Sequence, residues 1–271
     1  MKKLLSVVCV LIATVSLVGC GGSSTSSEST IVIGASSTPH AEILEAARPL
    51  LQEKGFDLDI VVFQDFVLPN KALIERELDA NYFQHIPWLE QYNADNGTAL
   101  TVATGVHIEP IGIYSSTHES LADLPEGARI IMSNSVSDQG RLLGLLQSYD
   151  LISLDPSIET AAATLDDIIE NPHNFVFEAN IDPGMLVQAF RNNEGDAVLI
   201  NTNFALDGDL NPMEDALALE NADSPFVNVV AVNAGDENSE KIQALVEVLH
   251  SEEIYNFIIE TFEGAVVPVN R

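Results

Sequence analysis

Two groups of residues have types and spacings that could do chemistry. The first is Arg141, in the run Ser135-Val136-Ser137-Asp138-Gln139-Gly140-Arg141. The spacing puts it in the first turn of a helix over Asp138 to Ser148. Surface helices usually keep cations out of the first turn, because the helix dipole there favours anions. A guanidinium beside free backbone N–H groups would hold a carboxylate or another anion. An exposed Arg paired with a nearby acid, such as Asp138, fits the spacing equally well. The second group is Asn81-Tyr82-Phe83-Gln84-His85-Ile86-Pro87-Trp88, which sets three aromatics and a His at a strand-to-helix turn and contains the one Trp of the chain. Strand alternation puts Tyr82 and Gln84 on one face and Phe83 and His85 on the other. Such a run is either core aromatics around a satisfied His, which composition favours, or an apolar ligand box with polar tips.

Other chemistries leave no signature. The phosphate-cradling and dinucleotide glycine motifs are missing, as are the G-x-S-x-G elbow and H-E-x-x-H. The six histidines, at 40, 85, 107, 118, 173 and 250, include no pair at i, i+4. A metal site would therefore have to be assembled from distant residues, and none is expected. Carboxylates are so abundant that a paired acid–base site would leave no trace.

The elements that must position these residues alternate. Ile31 to Gly34 reads as a strand, followed by Thr38 as N-cap and Pro39 as the first residue of a helix. Apolar Ile43, Leu44, Ala47, Leu50 and Leu51 keep helical spacing up to Gly55, with a kink or early end expected at Pro49. Strands follow at Leu58 to Phe63, Asp79 to His85, Arg129 to Met132, Phe175 to Phe177, Ala197 to Ile200 and Phe226 to Val232, and Thr101 to Tyr114 is a β-rich stretch. Helices fall between them, and two more close the chain, Lys241 to His250 and Glu253 to Thr261. This alternation predicts an α/β protein with largely parallel sheets and a second lobe beginning near Arg129. Ligands of such sheets sit at the carboxyl ends of strands.

The chain has 271 residues, 41 Asp+Glu against 11 Lys+Arg, a net charge of −30, and 46% hydrophobic residues. It is too apolar for a disordered acidic tail and long enough to bury a real core. The charge excludes nucleic acid as a natural partner and a basic patch on anionic lipid as an anchor. Scattered along the chain, the acids read either as ordinary solubility or as an adaptation to high salt.

The N-terminus reads as an export signal. Lys2 and Lys3 precede an apolar run from Leu4 to Val18, too short for a comfortable membrane span. Leu17-Val18-Gly19-Cys20, followed by Gly21 and a Ser/Thr-rich stretch to Thr30, resembles a bacterial lipobox. The resemblance implies that residues 1–19 are removed, that Cys20 is lipidated, and that residues 20–30 form a flexible tether. The only other cysteine is Cys9, so the mature chain has no intrachain disulfide. Loss of Lys2 and Lys3 leaves nine basic residues against 41 acidic ones, a net charge of −32.

Beyond these readings, several runs resemble the methionine-binding lipoprotein (MetQ/NlpA) family of ABC-transporter substrate-binding proteins. They are Thr38-Pro39-His40-Ala41-Glu42-Ile43-Leu44, Asp79-Ala80-Asn81-Tyr82-Phe83-Gln84-His85, Val106-His107-Ile108-Glu109-Pro110-Ile111-Gly112-Ile113-Tyr114, Gly140-Arg141, Asn201-Thr202-Asn203-Phe204-Ala205, Ser224-Pro225-Phe226-Val227-Asn228 and Gly264-Ala265-Val266-Val267-Pro268. The resemblance implies a type II periplasmic-binding-protein fold of two α/β lobes joined by hinge strands, with the ligand in the interlobe cleft. The lobes would be residues 31–113 plus 226–271, and 114–225, with hinge strands near Tyr114 and Phe226. It further implies that Arg141 takes the carboxylate of an amino acid. Asn203 and Asn228 would contact the amino-acid backbone, with Asn201 nearby, and Phe66, Phe83, His85 and Trp88 would surround the side chain. A zwitterion needs such a bidentate cation and oxygen acceptors, and a thioether suits aromatic walls.

The function implied by the resemblance is that of a lipid-anchored, extracytoplasmic binding protein for methionine or a related amino acid. It would need no cofactor, would feed an ABC permease with its ATPase, and would not be an enzyme. A zinc-type metal-binding lipoprotein and a cell-envelope hydrolase are the rival classes. The chain departs from the family pattern at Phe66 and Trp88, where Tyr is usual. Its Ser133-to-Arg141 loop replaces P-N-D-P-T-N-E-G-R, so that Asp138 stands for Asn, and Asn180-Ile181-Asp182 falls within the usual E-A-A-Q-L-P. These changes bear on the ligand side chain, because one methylene is worth only about 1–3 kcal/mol of discrimination.

Overall fold

The computed structural model describes residues 28–221 and 224–269. The signal, Cys20 and most of the tether lie outside the described residues.

Two mixed sheets organise the chain. The first has strand order β13-β4-β12-β3-β1-β2, with β1 at Thr30–Ser36, β2 at Asp57–Phe63, β3 at Ala80–His85, β4 at Leu100–Ile108, β12 at Val227–Asn233 and β13 at Val267–Pro268. The second has order β11-β5-β10-β6-β9, with β5 at Gly112–Tyr114, β6 at Arg129–Ser133, β9 at Val176–Ile181, β10 at Ala197–Ile200 and β11 at Ala218–Leu219. A two-stranded ribbon joins β7, Ser153–Leu154, to β8, Ile168–Glu170. The chain crosses between the large sheets twice, from Ile108 to Gly112 and from Leu219 to Val227. The boundary drawn at 113/114 from the sequence therefore falls inside β5.

The sheets are less parallel than the alternation suggested. Only β1–β2, β1–β3, β6–β9 and β6–β10 pair in parallel. The four strands that flank the crossings, β4, β5, β11 and β12, pair antiparallel; β5 and β12 arrive from the other sheet and not through a βα unit.

Helices cover both faces of each sheet. Against the first sheet, α1 (Glu42–Glu53) and the two C-terminal helices, Glu240–Leu249 and Glu252–Phe262, bury Ile43, Leu44, Leu51, Leu245 and Ile258 against Ile31, Ile33 and Val230. The opposite face packs Leu73 of α2 (Leu68–Ile74) and Leu89 of α3 (Ile86–Asn96) on Val229 and Ala231. In the second sheet, α4 (Val136–Ser148) contributes Leu142, Leu143, Leu145 and Leu146 against Ile130 and Met132. Its other face is covered by α5 (Leu186–Arg191) and α6 (Thr202–Asp207). Each such fully buried aliphatic side chain is worth about 1.5–3 kcal/mol of transfer free energy.

Two local expectations change. α1 continues across Pro49, which is solvent-exposed, because Ile43, Leu44, Ala47 and Leu51 hold its inner face to the core. Thr38 and Pro39 do not start this helix. Thr38 is extended (φ −118°, ψ 135°), and its Oγ1 donates to Glu42 Oε1 at 2.8 Å. The irregular turn that results carries His40 inward, leaving it 1% exposed.

Candidate functional site

A cavity of about 410 Å³ lies between the two sheets, where the first crossing meets β3, β12, α3, α4 and α6. All eight residues expected to hold a ligand line it: Phe66, Phe83, His85, Trp88, Arg141, Asn201, Asn203 and Asn228. Gln84, Glu109, Ile111 and Thr202 complete the wall. The first four of the eight come from the first sheet's chain segment, and Arg141, Asn201 and Asn203 from the second.

One end is aromatic. Phe66 lies 6.1 Å from Phe83, 5.9 Å from Trp88 and 5.0 Å from Phe204, ring centre to ring centre. A larger groove of about 1060 Å³ adjoins this end and shares Phe66 and Trp88 with the cavity. Phe204, on α6, was missed in the sequence because nothing local marks it. The β3 alternation also fails here, since Phe83, Gln84 and His85 all reach the wall. Tyr82 pairs with Val230 and Gln84 with Val229, so Phe83 is the extra residue of a β-bulge, which re-aims side chains.

The other end is polar and buried. α4 begins at Val136 with Ser135 as N-cap, so Arg141 stands in the second turn, not the first. The helix N-terminus therefore does not supply N–H groups beside it, and the expected partner Asp138 points elsewhere. Arg141 Nε donates to both oxygens of Glu220 at 3.0 Å, and Nη2 donates to Glu220 Oε2 at 2.5 Å and to the Glu109 carbonyl at 2.7 Å. The guanidinium carbon sits 4.5 Å from the Phe226 ring centre.

Asp138 instead accepts from His85 Nε2 at 2.8 Å and from Asn201 Nδ2 at 3.2 Å. His85 Nδ1 accepts the Trp88 backbone N–H at 3.2 Å and caps α3, so the proton belongs on Nε2. Burial alone would push the Asp138 carboxyl up, but the bonds from His85 and Asn201 and the charge of Arg141 hold it below the usual carboxylate value. Asp138 thereby fixes two cavity residues, His85 and Asn201.

Glu109 is the cavity carboxylate the sequence concealed among 41 acids. It is 6% exposed and lines the cavity. His107 Nε2 donates to its Oε1 at 2.8 Å, and His40 Nε2 lies 3.2 Å from the same oxygen. His40 Nε2 also reaches Asn228 Oδ1 at 3.1 Å. Ser36 Oγ meets His40 Nδ1 at 2.6 Å, and the Tyr82 hydroxyl bonds His107 Nδ1. Burial pushes both imidazoles down, His40 to about 4 and His107 to about 3, so both are neutral. Burial pushes the Glu109 carboxyl up, against the opposing pull of His40, Arg141 and the Asn203 backbone N–H. The Asn203 side chain, 4% exposed, leaves Nδ2 without a hydrogen-bond partner among the described residues.

His40, His107 and Glu109 are also the one group among the described residues whose ligand atoms lie close enough together to hold a metal ion. Every imidazole nitrogen of the group already has a hydrogen-bond partner, so the group is satisfied as a network. No helix among the described residues is long and apolar enough to cross a membrane.

The sequence profile described as NlpA lipoprotein matches residues 31–270. The chain is 47% identical to the methionine-binding lipoprotein MetQ of Bacillus subtilis, with each sequence covered in full. It is 32% identical to the D-methionine-binding lipoprotein MetQ of Yersinia pestis, over 98% of this chain and 97% of the relative. Among solved structures, a nutrient-binding protein of Burkholderia cenocepacia bound to methionine superposes with a TM-score of 0.82 at 35% identity, over 88% of this chain and 99% of that one. Lipoprotein Tp32 of Treponema pallidum gives 0.83 at 30% identity, over 89% and 100%. With a matching profile over nearly the whole chain and full-length identity of this order, the chain belongs to the NlpA lipoprotein family, and its two-sheet α/β architecture is that of the family's substrate-binding proteins.

Proposed function

We propose that the protein is a lipid-anchored, extracytoplasmic substrate-binding protein that captures methionine or a closely related amino acid and delivers it to an ABC permease and its ATPase. The observation that carries this reading is the polarity of the cavity. One end sets a buried guanidinium, Arg141, a buried carboxylate, Glu109, and the unpaired Asn203 amide around a small volume. The other end sets Phe66, Phe83 and Trp88 against the side chain. A zwitterion with an apolar tail matches both ends at once. Its carboxylate goes to Arg141, its ammonium to Glu109 and the carbonyl-type oxygens of Asn201 and Asn228, and its thioether to the aromatic rings.

The first lobe is the six-stranded sheet with its helices and the second is the five-stranded sheet with its helices. They hinge at residues 109–111 and at residues 220–221 and 224–226. Because residues from both lobes line the cavity, ligand binding favours the closed arrangement. Cys20 carries the anchor. Capture and release are reversible and break no covalent bond, so the protein acts as a binder and not as an enzyme.

A thermal-shift screen of the mature chain against all L- and D-amino acids tests the reading, since a ligand of the folded state raises Tm by mass action. Methionine of one or both chiralities should stand apart. A screen in which no amino acid shifts Tm, with stoichiometric zinc in the purified protein, would transfer the function to the His40–His107–Glu109 group.

A further inference from the structure

Arg141 has two sides. One faces the cavity between the lobes. On the other lies a separate cavity of about 660 Å³, lined by Arg141, Glu220, Ser224 and Phe226 among others, and Glu220 reaches only this one. Glu220 follows β11 at the start of the second crossing. Its carboxylate accepts from Arg141 Nε and Nη2, from Ser224 Oγ at 2.9 Å and from the Ile111 backbone N–H at 3.3 Å. The backbone N–H of Glu220 in turn donates to the Ile111 carbonyl at 2.8 Å. Glu220 therefore ties together the first crossing at Ile111, the second crossing at Ser224, and the guanidinium between them.

We propose that Glu220 is the positioning residue of the ligand-binding cation. It grips Arg141 from behind, while the Glu109 carbonyl and the Phe226 ring fix the guanidinium plane. Nη1 carries none of these bonds, which leaves its two N–H groups for the ligand carboxylate. A side-on pair of this kind is rigid, because an Arg fork locked by a carboxylate has little rotamer freedom left to lose when ligand arrives. Glu220 never touches the ligand, and its effect passes wholly through Arg141.

The inference rests on the amino-acid-binding reading, and the test separates the two. Wild type and Glu220→Gln are titrated calorimetrically with L-methionine and, by displacement at millimolar ligand, with L-methioninamide. The amide keeps the ammonium and thioether and replaces the carboxylate with a neutral group. Gln removes the charge and turns one oxygen into a donor facing Arg141. Methionine affinity should fall about tenfold or more, while methioninamide affinity changes less than about twofold. Loss of both ligands by the same factor would make Glu220 a general structural residue and overturn the proposal. An unchanged or tighter methionine affinity would overturn it as well. A crystal structure of Glu220→Gln supplies an arm that needs no ligand. The guanidinium should leave the Glu109 carbonyl and the Phe226 ring, and its staying in place refutes the positioning role. Failure of wild type to bind methionine, with the guanidinium displaced in the variant, would sink the function and leave the positioning intact.

Discussion

Replacing Arg141 by Met keeps the length and apolar stem and deletes the charge. Two separate losses result. In the folded protein, Glu220 forfeits all its bonds from Arg141 and keeps only Ser224 Oγ and the Ile111 N–H. Stranding a fully buried partner costs about 3–5 kcal/mol. The Glu220 side chain is 13% exposed and lines a cavity that water can reach, so about 2–3 kcal/mol is the better figure here. For a chain of this length that corresponds to a fall in Tm of about 4–12 °C. In the complex, the ligand carboxylate loses its charge-assisted bonds, each worth about 1.5–3 kcal/mol. Two such bonds give roughly 3–6 kcal/mol, or a 100-fold to 10,000-fold weaker Kd. Calorimetry measures the affinity and thermal circular dichroism the stability, at a temperature where the variant is folded. Arg141→Lys separates the two, because a point charge can satisfy Glu220 but cannot fork between Glu220, the Glu109 carbonyl and a ligand. It should recover most of the Tm and still bind at least about tenfold more weakly. Methionine binding by the Met variant at wild-type affinity would refute the role given to the guanidinium.

Glu109→Gln keeps the acceptor for His40 and His107 and removes the charge, so methionine should bind about 10- to 100-fold more weakly while a desamino analogue is unaffected. Equal loss of both ligands would deny the ammonium contact. Stability should decline as pH falls from about 6.5 towards 4, because the unfolded chain takes up protons on His40 and His107 that the folded chain refuses. Each site contributes up to about 1.4 kcal/mol per pH unit in that window, partly offset by the raised Glu109, and a flat Tm profile between pH 7 and 5 would contradict it. Gly140→Ala sets a Cβ 2.3 Å from the Thr160 carbonyl oxygen and 2.5 Å from that of Ala161, so the backbone must move beside Arg141. It should cost about 1–3 kcal/mol, read in urea melts, and no loss would mean that the loop yields freely. Six of the nine basic residues outside the signal already sit in ion pairs with acids. The surplus negative charge is therefore self-repelling, and Tm should rise with NaCl up to the molar range. A flat or falling curve removes the high-salt reading.

The elements were legible because burial imposes periodicity. Ile43, Leu44, Ala47 and Leu51 mark the inner face of α1 as plainly in the sequence as in the packing. Strand direction was not legible, because a strand carries no local sign of whether its neighbour arrives through a helix or across a hinge. β4, β5 and β12 show this. The site divided in the same way. Arg141, Trp88 and His85 stand out because cations and aromatics are scarce here. Glu109 and Glu220 do not, since any two of 41 carboxylates look alike until the fold gives them partners. Their signal is long-range, across 32 residues from Arg141 for Glu109 and 79 for Glu220. The sequence spacing starts α4 two residues late, which sets Arg141 in its first turn instead of its second.

The central claim is that the two ends of one cavity read the two ends of one amino acid. A crystal structure of the mature chain grown with L-methionine measures it directly. The carboxylate should lie on Arg141, the ammonium within hydrogen-bond reach of Glu109, and the thioether among Phe66, Phe83 and Trp88. Methionine in the reverse orientation, or bound outside this cavity, would contradict the account.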